Sequence, residues 1–242
     1  MDEAYGSAYA ALYRGHWWWR ARHAYLTRLL AARLTPGSAG EALDFGCGDG
    51  LFFDALARYG EPYGIEPEAA LLDPAGPWRA RIDTRPLTPD ASQRDRFGLV
   101  VALDVLEHLA DPRPAIRELV ARTRPGGLWI VSVPAFRALW THHDDLNQHF
   151  HRYRRDELEQ LLRSHGLEVL EARYVFGWTA VAKLLMRAME ALRTPRDAPP
   201  RIPWAPVNLA LLGLCRAEQW LFRRAPLPFG SSVIAVARRP AA

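Results

Sequence analysis

Eight residues, Leu43-Asp44-Phe45-Gly46-Cys47-Gly48-Asp49-Gly50, limit what this chain can fold into more than any other stretch. An apolar approach through Ala42 and Leu43 carries an acid and is followed by three glycines at alternate positions, then by Leu51-Phe52-Phe53. Glycine has no Cβ, so such a turn bends sharply and lets a ligand approach main-chain atoms. The stretch reads as the end of a buried strand, a glycine-rich turn and the first turn of a helix. In an α/β sheet, a loop of that kind at the carboxyl end of the first strand binds nucleotide-like ligands. Spacing narrows the ligand: a dinucleotide fingerprint is G-x-G-x-x-G, whereas this loop is G-x-G-x-G behind an acid. No lysine cradles phosphates, which excludes a P-loop. Asp44 sets a carboxylate beside the loop, suited to a cationic amino-acid-bearing ligand and unsuited to a pyrophosphate.

The chain around the loop alternates apolar strands with helices. Residues 1–33 read as helical and aromatic, with His16-Trp17-Trp18-Trp19-Arg20-Ala21-Arg22 at their centre. They either pack rings on the domain or form a lid that brings Trp or Arg near a ligand. A helix is expected from Phe52 to Arg58, a second strand over Pro62–Pro67, and a weak third strand over Arg79–Asp83. Glu66 stands where a Rossmann-like unit places the acid that takes ribose hydroxyls, about 20 residues past the loop. The unbroken apolar run Phe97–Asp104 suits a central parallel strand. A helix over Pro114–Thr123, a turn at Arg124–Gly127, a fifth strand over Leu128–Pro134, a helix over 156–164 and a sixth strand over Leu167–Phe176 follow. Ser231–Ala237 is the candidate last strand.

Motif I of the class I S-adenosylmethionine (SAM)-dependent methyltransferases has the pattern acid-x-G-x-G-x-G, and Asp44–Gly50 resembles it. Asp104-Val105-Leu106-Glu107-His108-Leu109-Ala110-Asp111-Pro112 resembles motif IV, and Arg124-Pro125-Gly126-Gly127 resembles the turn that follows in the same family. The resemblance runs from about Trp17 to Leu170 and is closest to the ubiquinone-pathway O-methyltransferase-like group. One departure is Gly98, where relatives often carry Asp. The resemblance implies a doubly wound, Rossmann-like α/β sheet of seven strands in the order 3-2-1-4-5-7-6, with the last strand antiparallel. It implies SAM as cofactor, with Gly46, Gly48 and Gly50 along its amino-acid and ribose portions. Asp44 would stand near the methionine end, Glu66 on the ribose, Asp83 by the adenine amino group, and Leu103-Asp104 on the sulfonium side.

Four of the eight histidines fall in 142–151. His142, His143 and His149 are the candidates for removing a proton from an acceptor hydroxyl. Glu107 and His108 read plainly as residues that fix their loop by hydrogen bonds, with no metal assigned. The resemblance adds an alternative: metal-dependent relatives carry E-x-x-E-H where this chain has Asp104, Glu107 and His108. A divalent ion on Glu107, His108 and His149 would then hold the acceptor oxygen.

Composition bounds the rest. The chain has 242 residues, 49% hydrophobic and 24% charged, as for a soluble protein of one domain with an elaboration. Cys47 lies in the ligand loop and Cys215 is the only other cysteine, so a reducing cytoplasm is expected rather than a structural disulfide. The acidic N-terminus does not suit a signal peptide, and no apolar run suits a bilayer span. A net charge of +4 does not by itself imply nucleic acid. The expected organisation is a helical cap over 1–40, a SAM-binding core over 41–176, a helical insertion over 177–228 and a final strand with tail over 229–242. The insertion carries eight Lys and Arg against three acids. Its apolar surface exceeds what two helices bury on each other. It is expected to roof the acceptor pocket over 136–153, with a homodimer contact or anionic membrane docking as alternatives. The function read from all this is methyl transfer from SAM to a small-molecule hydroxyl, by a monomer or homodimer. The alternatives are a metal-assisted RNA 2′-O-methyltransferase and a non-catalytic SAM-binding protein. Nucleic acid is disfavoured because the insertion lacks interleaved aromatic and basic residues.

Overall fold

The computed structural model describes residues 10–190 and 201–241. Strands β1 (Gly40–Phe45), β2 (Gly60–Ile65), β3 (Ile82–Asp83), β4 (Phe97–Leu103), β5 (Thr123–Pro134), β6 (Glu168–Val175) and β7 (Ser232–Arg238) form one sheet. Their order is β3-β2-β1-β4-β5-β7-β6, as the sequence predicts. The first five run parallel, and β7 lies antiparallel between β5 and β6. The helices are α1 (Trp17–Arg33), α2 (Phe53–Leu56), α3 (Arg113–Arg122), α4 (His142–Leu146), α5 (Arg155–Arg163), α6 (Gly177–Glu190) and α7 (Ala205–Leu221).

Alternation along the strands builds two apolar layers, because successive side chains point to opposite faces. Leu99 and Val101 of β4 join Ala42, Leu128 and Ile130 on one face, where Leu26 and Leu30 of α1 and Leu212 of α7 cover them. Val100 and Ala102 join Leu43, Trp129 and Val131 on the other, under Ile116 and Leu119 of α3 and Leu158 and Leu162 of α5. Each fully buried Leu, Ile or Val contributes about 1.5–3 kcal/mol of transfer free energy. Trp129 anchors the start of β5: its indole N–H donates to Thr123 Oγ1 at 2.8 Å, and that hydroxyl donates to Leu119 O at 2.7 Å. At Gly98, a Cβ would meet Ala39 O and the Arg124 guanidinium, so the departure from the family pattern follows from a close backbone approach.

Three elements differ from expectation. The helix after the glycine loop spans only Phe53–Leu56, because the chain turns back at once into β2 and no side chain caps its start. The third strand has two residues, since Arg79–Arg81 wind into a 3-10 turn whose Arg79 donates to Ile82 O at 3.1 Å. The insertion divides its contacts. Arg187 of α6 donates to Ala138 O, over the segment expected to lie beneath a roof. Helix α7 instead lies on α1, where the Asn208 side chain accepts from Trp17 N and donates to Gly15 O, both at 2.9 Å. Leu212 is buried there, but Leu184, Leu185, Met189 and Trp220, all expected to pack on something, stay exposed. Residues 1–9 of the expected cap and 191–200 of the proline-rich break lie outside the described residues.

Candidate functional site

The site forms at the carboxyl ends of β1, β4 and β5, where ligands bind in open α/β sheets. Gly46, Gly48 and Gly50 all have positive φ, at +72°, +51° and +68°. At Gly46 a Cβ would also collide with Val105 at the start of the motif IV segment. Asp44 is 3% exposed, and burial pushes its carboxyl up to about 8, with Arg22 pulling it down and Glu66 adding to the rise. Glu66 is also buried. It accepts from Gly48 N and Glu68 N at 3.0 Å each, so its carboxylate braces the middle of the loop. Burial raises its pKa against those two bonds. Asp83 touches this cluster through its backbone, its carbonyl accepting from Glu66 N at 2.9 Å. Its carboxylate turns to Arg85, with Nη2 at 2.7 Å.

The second part joins β4, β5 and α1. Asp104 takes the left-handed backbone at φ +59°. Its amide donates to Ser132 O at 2.9 Å, and Ser132 Oγ donates to its Oδ1 at 2.8 Å. Arg22, 5% exposed, completes the unit by pairing with Asp104 Oδ2 at 2.8 Å and donating to Ser132 Oγ at 2.9 Å. Helix α1 thus brings a guanidinium to the carboxyl ends of β4 and β5, where its charge also acts on Asp44 and Glu107. Asp104 is committed to that unit and lies outside the cluster described next.

Glu107, His108 and His149 come together, with a ligand atom from each within 4.8 Å of the others. The His108 and His149 rings meet edge to face at 4.7 Å. Glu107 is 1% exposed, and its Oε2 has no hydrogen-bond partner. Burial, with Asp104 nearby, pushes its pKa well up. The loop is therefore not fixed by Glu107 Oε2; the Glu107 carbonyl does that, accepting from Phe150 N at 2.7 Å. His108 is pushed down to about 4 by burial and by His149. His149 is aimed from behind: its Nδ1 lies 2.9 Å from Asp144 Oδ1, which leaves Nε2 for the cluster. Asp144 also receives Arg152 Nε at 2.8 Å and Nη2 at 3.1 Å. Burial opposes the charge on Asp144, but the His149 hydrogen bond and the Arg152 guanidinium together hold its pKa well below the usual range. An orphaned buried carboxylate oxygen beside two imidazoles is a donor set that fits a divalent ion.

His142 and His143 lie outside that cluster. His142 lies 4.0 Å from Asp145, and His143 lies against the Asn147 side chain with its pKa pushed down to about 4 by burial and by Lys183. Asp144, Arg152 and Ser132 escaped the sequence reading, and Arg22 entered it only as one of the bases in the lid alternative for residues 1–33. Arg22 carried little signal: it lies at helical spacing with Trp19, Leu26 and Leu30, which are buried with it, but polar and apolar residues are mixed around α1. Asp144 and Arg152 carried none, because their pairing needs the loop to close. A separate cleft of about 350 Å³ opens beneath residues 85–93, lined by Leu43, Tyr63, Pro89, Arg96 and Arg122. It adjoins Asp83 but not the glycine loop, and its arginines, Arg81, Arg85, Arg96 and Arg122, are already paired with Glu61, Asp83, Glu41 and Glu118.

Residues 18–172 match a family model described as a methyltransferase domain. The chain is 30% identical over 146 residues to a ubiquinone biosynthesis O-methyltransferase of Methylobacterium sp. (strain 4-46), covering 56% of this chain and 48% of that protein. It thus spans about half the length of that relative. A probable S-adenosylmethionine-dependent methyltransferase of Mycolicibacterium smegmatis is 28% identical over 84% of this chain and 80% of its own. Among solved structures, a possible histamine N-methyltransferase of Thermotoga maritima shares the fold, with TM-score 0.56, 16% identity, and 98% and 97% of the two chains covered. The glycine loop, the strand order and the matched family model together make this chain a member of the class I SAM-dependent methyltransferases.

Proposed function

We propose that this protein transfers the methyl group of SAM to a hydroxyl oxygen of a small-molecule acceptor. The observation that carries the reading is the Glu107–His108–His149 cluster beside the β4 end, a proton-handling group where the acceptor would stand. When bound, SAM supplies a methyl already activated on a cationic sulfur. The protein's part is to hold the acceptor in line, exclude water and take a proton. Gly46, Gly48 and Gly50 leave the loop's main chain open to the cofactor, with Glu66 bracing it and meeting the ribose. Asp44 and Arg22 offer opposite charges to the two ends of an amino-acid moiety. Leu103 and Asp104 stand on the sulfonium side. His149, oriented by Asp144, takes the acceptor proton at Nε2. A divalent ion on Glu107, His108 and His149 would supply a lowered hydroxyl pKa instead. The names of the ubiquinone-pathway relatives support an oxygen acceptor.

The test is to incubate the protein with SAM and a panel of phenols, catechols, quinone precursors and short RNAs, measuring S-adenosylhomocysteine and methylated product. Methyl ethers of small hydroxylated compounds are expected. Product only on RNA moves the acceptor to the ribose 2′-OH, and product only on amines removes the oxygen reading.

Asp44 makes a separate prediction. With its pKa raised to about 8, the native state holds a proton that the unfolded state releases above pH 3.8, so Asp44 costs stability as pH rises through that window. A cation bound beside it favours the ionised form. SAM binding at pH 7 should therefore release a net fraction of a proton from Asp44, read by calorimetry in buffers of different ionisation enthalpy. Asp44→Asn should release none. Equal proton counts in the two proteins would remove Asp44 from the methionine end.

A further inference from the structure

Helix α6 is exposed throughout residues 184–189. Its apolar stripe, Val181, Leu184, Leu185 and Met189, faces solvent, with Leu185 62% exposed. Two basic residues tie the helix to the body: Arg187, itself exposed, donates to Ala138 O, and Lys183 stands near enough to His143 and Asp144 to shift both. Helix α7 also leaves apolar residues exposed. Asn208, Leu212, Cys215 and Gln219 form its buried side against α1. The opposite side carries Val207, Leu209, Leu214, Trp220 and Leu221, all exposed, with Trp204 75% exposed just before the helix. The two helices meet where Glu218 accepts from Gly177 N at 3.0 Å and Trp178 N at 2.9 Å. An apolar area of this size is seldom left idle on a protein surface.

Its border says what covers it. Arg201, Arg216, Arg223 and Arg224 are exposed around the apolar residues. The one acid on α7, Glu218, is turned inward onto the start of α6. A second copy of this chain placed there would bring two cationic rims together, whereas an anionic surface neutralises them. No described helix is long and apolar enough to cross a membrane.

We propose that α6 and α7 dock this protein on an anionic lipid bilayer, lying in the interface plane with Leu185, Leu214 and Trp220 in the acyl boundary and the arginines among the headgroups. Apolar burial and attraction to anionic lipid together give such helices their affinity. Because α6 lies over Arg137–Leu139 with its other side, the bilayer would stand about one helix diameter, roughly 10 Å, from the loop that leads into the histidine segment.

The test is sedimentation of the full chain with vesicles of phosphatidylglycerol and phosphatidylcholine, and with phosphatidylcholine alone. The protein should pellet with the anionic vesicles and partition at least ten-fold less onto the neutral ones. The doubly substituted Leu185→Glu, Trp220→Glu protein, and separately Arg216→Glu, Arg223→Glu, should each lose at least ten-fold in partitioning while keeping the thermal unfolding midpoint. Wild-type protein that stays in the supernatant overturns the proposal, as does equal binding to both vesicle types. A wild-type dimer by light scattering that Leu185→Glu, Trp220→Glu converts to monomer assigns the face to a second copy instead.

Discussion

Asp144→Ala should cost about 3–5 kcal/mol of folding stability, measured by denaturant unfolding at pH 7. Asp144 is fully buried, and the Arg152 side chain beside it is 2% exposed. The carboxylate also accepts from Thr141 N at 2.9 Å and closes the capping box at the start of α4. Removing it strands a guanidinium in the interior, and breaking one side of a buried pair costs far more than the pair itself supplies. The doubly substituted Asp144→Leu, Arg152→Met protein should recover part of the loss, since neither charge is then left alone. The pH dependence has a defined sign. A carboxylate whose native pKa is depressed contributes stability above its unfolded pKa, near 3.8, and loses it as pH falls toward the native value. The difference between wild type and Asp144→Ala should thus be full at pH 7 and shrink below about pH 4. A constant difference down to pH 2 would mean that Asp144 acts through shape and not through charge.

His149→Ala should lower turnover by about 100-fold or more, the scale of a lost general base, with SAM affinity nearly unchanged. Of the three candidate histidines we propose His149 because, among the described residues, it meets Glu107 and His108 and has Nδ1 held by Asp144. His142→Ala and His143→Ala should cost less. Full turnover in His149→Ala would make the cluster structural. Chelation separates the two chemistries: activity lost and then restored by a divalent ion assigns proton release to an ion on Glu107, His108 and His149. Indifference to chelator assigns it to His149 alone.

The sheet was legible because its signals are local and redundant. The run Phe97–Leu103 is buried from Phe97 to Ala102, so it reads as apolar on both faces, and the glycine loop sets three positive-φ glycines at the end of β1. Glu66 was legible through its distance from that loop. Weak signals failed where sheet edges are thin: β3 kept only Ile82 and Asp83, because the arginines before them prefer a tight turn. The site's tertiary pairs were hidden. Arg22 reaches Asp104 across 82 positions, a juxtaposition no spacing rule contains. The insertion was half legible. Periodicity gave two amphipathic helices, but which face turns inward depends on what each helix meets, and α6 meets the backbone carbonyls of Arg137 and Ala138 with its arginine side.

Calorimetric titration of SAM into the purified wild-type and Glu66→Ala proteins tests the central claim most directly. Glu66 braces Gly48 and is proposed to meet the ribose, so its loss should weaken SAM by about 1.5–3 kcal/mol, roughly 10- to 150-fold in Kd. The wild type should bind one SAM per chain, and NAD should not bind. A wild-type protein that fails to bind SAM, or a folded Glu66→Ala protein that binds it with unchanged affinity, would contradict a cofactor site built on residues 44–50 and Glu66.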